Sequence, residues 1–338
     1  MSKIFPLAAL AFMAAFPEFV LPATAQSGAA YRIGATYKLP GAAPIDAVWL
    51  DISSRRLYVA HSDHVDVLNA DTGRSEGSMP AQDASGIVVV DASRGFFANR
   101  GSGSVTLFNP ASLAIIKTVP LQAKSPASLV YDADAKRIFV MAPGSGEVLA
   151  LNAGSGDLEG RIALKGNLRQ AVTNEMGSLF VAAQDMNLIH VVDTHSLKFL
   201  GDFPSGNAVG PVSLAIDPAG RRLFVACSDG KLAVIDTDIG FTFEELPIVS
   251  GAVASLFTFS PQGKGGWKGA DFVAGENGAL TLVQMNAFIR YSVGGKVSIP
   301  NGAHAIAFDP KTHRLFLAVS APQPEVLALQ PASAEVDR

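Results

Sequence analysis

Residues 211–237, PVSLAIDPAGRRLFVACSDGKLAVIDT, hold the pattern from which the rest of the chain is built. An apolar run, PVSLAID, is followed by a turn with Pro and Gly, then by an aromatic-centred run, RLFVAC. A short polar loop, SDG, leads into the alternating stretch KLAVID. Turn residues between short apolar runs of this length point to antiparallel strands. The pattern recurs as RRLYVAHSDHVDVLNADT at 55–72, KRIFVMAPGSGEVLALNAGS at 136–155 and HRLFLAVSAPQPEVLALQPA at 313–332. Aligned on the aromatic-centred strand, seven copies fall at Tyr58, Phe97, Phe139, Phe180, Phe224, Phe272 and Phe316. Their spacings are 39, 42, 41, 44, 48 and 44 residues. Asn69, Asn109, Asn152, Asp193 and Asp236 mark a recurrent tight turn after the third strand, because Asn and Asp side chains cap such turns. A more polar fourth strand, such as AIIKTVPL, closes each unit. Four antiparallel strands in about 43 residues make one propeller blade.

The expected fold is therefore all-β, a single seven-bladed β-propeller over 31–332. Its blades lie near 44–80, 84–120, 126–164, 168–204, 211–248, 253–299 and 303–332. The seventh copy stops after its third strand, and YRIGATYKLP at 31–40 has no partner of its own. That strand is expected to complete the last blade and close the ring, leaving 333–338 as a flexible tail.

The repeat at 211–237 resembles the YVTN-type β-propeller repeat of exported bacterial proteins. The resemblance rests on its Pro, apolar strand, Asp-Pro-x-Gly, aromatic-Val, polar loop and Val-Ile-Asp-Thr. It is close in blade five, good in one, three and seven, and weaker in two, four and six. It implies a fold more than an activity, since the shared residues build strands and turns. Two activities seen on similar propellers come with it as alternatives. One is a lactonase-like hydrolase; the other is an accessory subunit of a periplasmic quinoprotein redox system.

The N-terminus reads as a secretory signal. MSK is followed by the apolar IFPLAALAFMAAF, and ATA precedes Gln26, so cleavage after Ala25 and export to a bacterial periplasm are expected. No long uncharged segment follows residue 30, so no membrane-spanning segment is expected in the mature chain. The formal net charge of −4 with 26 basic residues lacks the clustered cation of a nucleic-acid binder. One cysteine, Cys227, excludes an internal disulfide and is expected to be a small core residue.

Catalytic signatures are missing: the chain has no Gly-x-Ser-x-Gly elbow, no His-Glu-x-x-His and no Cys-x-x-Cys-His. No cofactor is expected. His61 and His64 with Asp63, in AHSDHVD, form the one tight His/Asp cluster. No further ligand is visible nearby, so a polar loop with two surface histidines is favoured and no metal is assigned. Using the repeats as a ruler, the mouth end of the seven inner strands carries Asp46, Gly86, Ala127, Arg169, Val212, Ser255 and His304. Asp46, Arg169 and His304 break the small or apolar habit. Gln170 stands beside Arg169, and His61 and Arg100 end second strands on the same face. These six residues are the ligand-binding candidates, suited to an anionic or sugar-like molecule. Asp46, Arg169 and His304 would be the acid–base set of any hydrolase; the bland alternative has Asp46 paired with Arg169. Trp267, in the glycine-rich insertion SPQGKGGWKGADFV, is the candidate contact for a partner, whereas Trp49 is assigned to the core. The function expected is that of a monomeric, non-enzymatic binding or scaffold protein for a protein or small ligand.

Overall fold

The structure, a computed structural model, describes residues 31–41, 43–261, 267–287, 290–320 and 323–332. The leader expected at 1–25, the tail expected at 333–338 and the side chain of Trp267 lie outside the described residues. Seven four-stranded antiparallel sheets form a β-propeller, as the repeat spacing predicts. In each blade the strands run from inner to outer in chain order. Blade one comprises Ile45–Asp51, Arg56–His61, His64–Asn69 and Ser75–Pro80, and blade two Ala84–Asp91, Arg94–Asn99, Ser104–Phe108 and Ile115–Pro120. Blade three has Leu129–Asp132, Arg137–Ala142, Glu147–Asn152 and Leu158–Ala163, and blade four Leu168–Thr173, Ser178–Ala183, Leu188–Asp193 and Phe199–Pro204. Blade five has Pro211–Asp217, Arg222–Cys227, Lys231–Asp236 and Thr242–Pro247; blade six has Ala252–Pro261, Trp267–Gly275, Ala279–Ala287 and Arg290–Ser298. Blade seven takes Ala303–Asp309, Arg314–Val319 and Glu325–Pro331, with Tyr31–Lys38 as its outer strand.

Each inner strand contacts those of both neighbours all the way around the ring. The core is correspondingly divided into seven apolar clusters, one at each seam between blades. Strand alternation explains the division, because successive residues face opposite sides of a blade. In the second strand of blade one, Leu57 and Val59 face blade seven while Tyr58 and Ala60 face blade two. The central aromatic therefore always packs toward the following blade. By that criterion the equivalent in blade two is Phe96, which faces blade three, rather than Phe97, which faces blade one. Adjacent phenylalanines hid that one-residue slip.

The Asx residues do what their type predicts. Asn69, Asn109, Asn152, Asp193 and Asp236 each accept the amides two and three residues on, between 2.6 and 3.2 Å. Arginines at the start of the second strands staple blades together. Arg56 pairs with Glu76 at 2.8 Å and donates to the carbonyl of Pro110 in blade two at 2.5 Å. Arg137 pairs with Glu159 and donates to the carbonyls of Thr194 and His195 in blade four, all at 2.7 Å.

The seam between blades seven and one carries more than the others. Residues 31–38 pair with 325–331, interrupted by a bulge at Gly34. A bulge reverses the facing of the residues beyond it. Tyr31 accordingly packs edge-on against Phe272 of blade six, 5.1 Å between centroids, while Tyr37 turns to the other side. The Tyr37 hydroxyl donates to the Ala70 carbonyl of blade one at 3.0 Å. Beneath it, Arg55 of blade one donates to both oxygens of the fully buried Asp309 of blade seven, at 2.9 and 2.6 Å. Asp71 bridges Arg55 and Arg314, at 2.7 and 2.6 Å.

Burial acts to raise the Asp309 carboxyl, but the bonds from Arg55, Thr312 and the Lys311 amide outweigh it and hold it at about 2. An unfolded aspartate titrates near 4. The stability Asp309 contributes is thus present above about pH 4 and is lost as the pH falls toward 2. Removing one partner of such a pair strands the other's charge. Asp309→Ala is expected to destabilise the ring by roughly 3 kcal/mol, at the low end because Asp71 still pairs with Arg55. Denaturant melts at pH 7 check the magnitude, and melts between pH 2 and 5 should show the variant losing the steep acid limb of the wild type.

Candidate functional site

The mouth of the ring is the face where the chain enters each inner strand. The ladder skips a residue just inside the inner strand at Asp46, Gly86, Val212, Val253 and His304, and skips the pair Arg169–Gln170 in blade four. Blade three shows the same two-against-one pattern, with Ala127 donating to, and Ser128 accepting from, the backbone of Met141 at 2.9 and 3.0 Å. A bulged residue leaves the ladder and re-aims its side chain, so this ring of positions is structurally distinct. The residue in blade six is Val253, not Ser255. Its inner strand continues to Pro261, so a ruler laid back from Ser260 lands two residues late. In blade two the position requires glycine: Gly86 has φ +56°, and a Cβ there would lie 2.3 Å from the Ala127 carbonyl oxygen.

Asp46 finds its cation in Arg100, from the turn after the second strand of blade two, and not in Arg169. Arg100 donates to Asp46 at 2.6 Å and to Asp83 at 3.4 Å. Burial raises the Asp46 carboxyl above its ordinary value; Arg100 and, more weakly, His304 pull it down, and Asp83 pushes it up. His304 is exposed on blade seven, next to Asp46's blade, and Arg169 is exposed on blade four, three blades away. The three residues of the acid–base set therefore divide into an adjacent pair and a distant arginine.

Gln170 is taken up in the framework. Its Oε1 accepts from the Ser213 hydroxyl and, at 3.1 Å, from the Leu214 amide of blade five. Ser213 in turn accepts the Ser255 amide at 2.7 Å, and the Ser255 hydroxyl lies 2.9 and 3.1 Å from the two oxygens of Asp271. Sequence reading missed Asp271, which stands where five of the other blades place Leu or Ile before the central aromatic. Burial pushes its carboxyl up to about 7, against hydrogen bonds from Ser255 and the Leu256 amide.

His61 is fully buried, which corrects its reading as a surface side chain, and its Nδ1 lies 3.0 Å from the Ala43 carbonyl. Trp49 is half-buried between two seams rather than enclosed in a core. Cys227 is buried, and burial pushes its thiol up to about 12, in keeping with a small core residue. Among the described residues, no helix is long and apolar enough to cross a membrane.

No family model matches the chain, and no curated protein matches its sequence. Solved structures do match its fold. The structure of U3-55K aligns with a TM-score of 0.74 at 10% identity, over 89% of this chain and 98% of that one. The WD40 repeats of RRP9 align at 0.73 and 10%, over 89% and 97%. The Pan2 WD40 domain of Neurospora crassa aligns at 0.71 and 10%, over 89% and 95%. The chain thus shares the propeller architecture of WD40-repeat structures.

The buried Asp271 sets a pH dependence of its own. The folded state retains a proton that an unfolded aspartate loses near pH 4, so stability declines as the pH rises from about 4 to about 7. Asp271→Asn keeps an acceptor for Ser255 and removes that decline. Its melting temperature should match wild type near pH 4 and exceed it by several degrees at pH 8, as thermal melts across that range would show.

Proposed function

We propose that the protein is an exported, non-enzymatic binding scaffold of the YVTN-repeat kind, which engages a protein partner through the rim of its ring. The carrying observation is a set of exposed apolar side chains on the outer strand of blade four and at the start of the outer strand of blade five. Leu200 on the outer strand of blade four is 59% exposed, and Ile239 and Phe241, in the turn before the outer strand of blade five, are 73% and 57% exposed. The Gly240 turn sits against the Phe203 ring, where a Cβ would lie 2.3 Å from it, so the two stretches of rim adjoin. Phe243 extends the patch, 5.4 Å edge-on from Phe241, with the Arg222 guanidinium 4.1 Å above its ring. Contiguous apolar surface with a polar surround is a mark of interaction sites. Aromatic residues backed by arginine are the type that anchors interfaces.

The hydrolase alternative draws less support. Asp46 is already ion-paired with Arg100, and Arg169 stands three blades away, so a general acid–base pair with a nearby oxyanion donor is not assembled. Mouth residues His304 and Arg169 would serve at most to hold a small anion.

Photo-crosslinking of the full chain in its native compartment, with the probe at Phe243, tests the rim. A single partner should be captured by wild type and lost from a Leu200→Asp, Phe241→Asp variant. Arg169→Ala with His304→Ala should retain it. Loss only in the mouth variant would overturn the rim. Lactone hydrolysis that His304→Ala abolishes would overturn the non-enzymatic reading.

A further inference from the structure

We propose that His61, His64 and Asp66 form a binding site for a single Zn²⁺ ion at the mouth end of blade one. Their ligand atoms all lie within 4.8 Å of one another. Nε2 of His61 is 3.4 Å and Nε2 of His64 is 3.3 Å from the same oxygen, Oδ2 of Asp66. Metal–ligand bonds of about 2.0–2.1 Å in a tetrahedron place neighbouring donors about 3.3 Å apart, the separation seen between Asp66 and each histidine.

The tautomers follow from the other ring nitrogens. Nδ1 of His61 faces the Ala43 carbonyl at 3.0 Å, and Nδ1 of His64 faces an Asp63 carboxylate oxygen at 2.5 Å. Both partners only accept, so each Nδ1 carries a proton and each Nε2 is left as the free ligand atom. The two rings lie nearly parallel, so the partly exposed His64 ring must turn for both lone pairs to reach one ion. Carbonyl or carboxylate acceptors on the far nitrogen are the arrangement that orients histidines onto a metal. Asp63 thus acts behind the site, and Asp66 is the ligand hidden from the sequence motif.

Without a cation this arrangement is unfavourable. Nε2 of His61 and Oδ2 of Asp66 are buried and find no hydrogen-bond partner, and buried polar atoms without partners are costly. The two rings stack, with centroids 4.4 Å apart and planes 7° from parallel. One divalent ion would satisfy all three donors. Blade two offers an internal comparison, since Asn99, Ser104 and Thr106 occupy the equivalent positions. There Asn99 donates to Ser104 and Thr106 at 3.3 and 2.9 Å and accepts the Gln82 amide at 3.1 Å, satisfying itself. The polar trio of blade one does not. His64, with 23% of its side chain exposed, opens the site to solvent, where water or a partner's donor would complete the coordination.

Chelator-treated full-length protein titrated with Zn²⁺ by calorimetry should bind one equivalent and melt at higher temperature. Co²⁺ in its place should give visible absorption bands of intensity typical of tetrahedral nitrogen and oxygen ligation. His64→Ala and Asp66→Asn should abolish saturable binding. Asp63→Ala should weaken it by about 10- to 100-fold, and His195→Ala, which alters an exposed His–Asp pair, should leave it unchanged. His64 is partly exposed, so its variant should fold, as circular dichroism will verify, even if a His61 variant does not. Absence of one-equivalent binding in wild type, or binding undiminished in both His64→Ala and Asp66→Asn, overturns the site.

Discussion

A propeller blade cannot bury itself. Each sheet has an apolar face on both sides, and each face is covered only by the next sheet around, so every seam depends on the ring being closed. Six seams join blades that follow one another in the chain. The seventh joins the two ends, and there the structure concentrates its strongest contacts: a mixed-terminus sheet, the Tyr37 tether to Ala70 and the buried fork of Arg55 on Asp309. An ion pair this buried gives little net stability over an apolar contact but is exacting in geometry. It joins one particular pair of blades through a geometry that the apolar surfaces beside it do not require.

The fold was legible because a repeated sequence reports one strand pattern several times over. Turn chemistry was legible too, residue by residue, in the Asx positions from Asn69 to Asp236. Registers were less so. Phe96 and Phe97 differ only in which seam they face, and composition carries no sign of that choice. The longer inner strand of blade six moved the mouth position from Ser255 to Val253 for the same reason: a ruler counted from one end of a strand fails when its length changes. The arginine at the start of the second strand carries no sign of its target in the sequence; at Arg56 and Arg137 it is a staple to the next blade's turn.

At the mouth, sequence reading found the unusual positions but not their partners. Asp46 and Arg169 looked complementary as types, yet pairing is decided by reach, and Arg100 on the adjacent blade is the closer cation. Gln170 looked available and is spent on blade five. The histidine cluster failed in the opposite direction. Asp66 lies two residues after His64, on the same face of its strand, and a tight hairpin folds His61 back beside them. Period-two reasoning applied to AHSDHVD would have supplied the third ligand.

The outer strand of blade seven also has a history in time. Tyr31 pairs with Pro331, so the first of the described strands waits for a partner 300 residues downstream. Throughout synthesis it is an unpaired edge, the kind of segment that recruits wrong partners. Its composition answers that exposure: Arg32 and Lys38 place charge near both ends, and Gly34 breaks its middle. Its partner, Glu325–Pro331, is the last strand described, so this pairing can form only after nearly the whole described chain has been made.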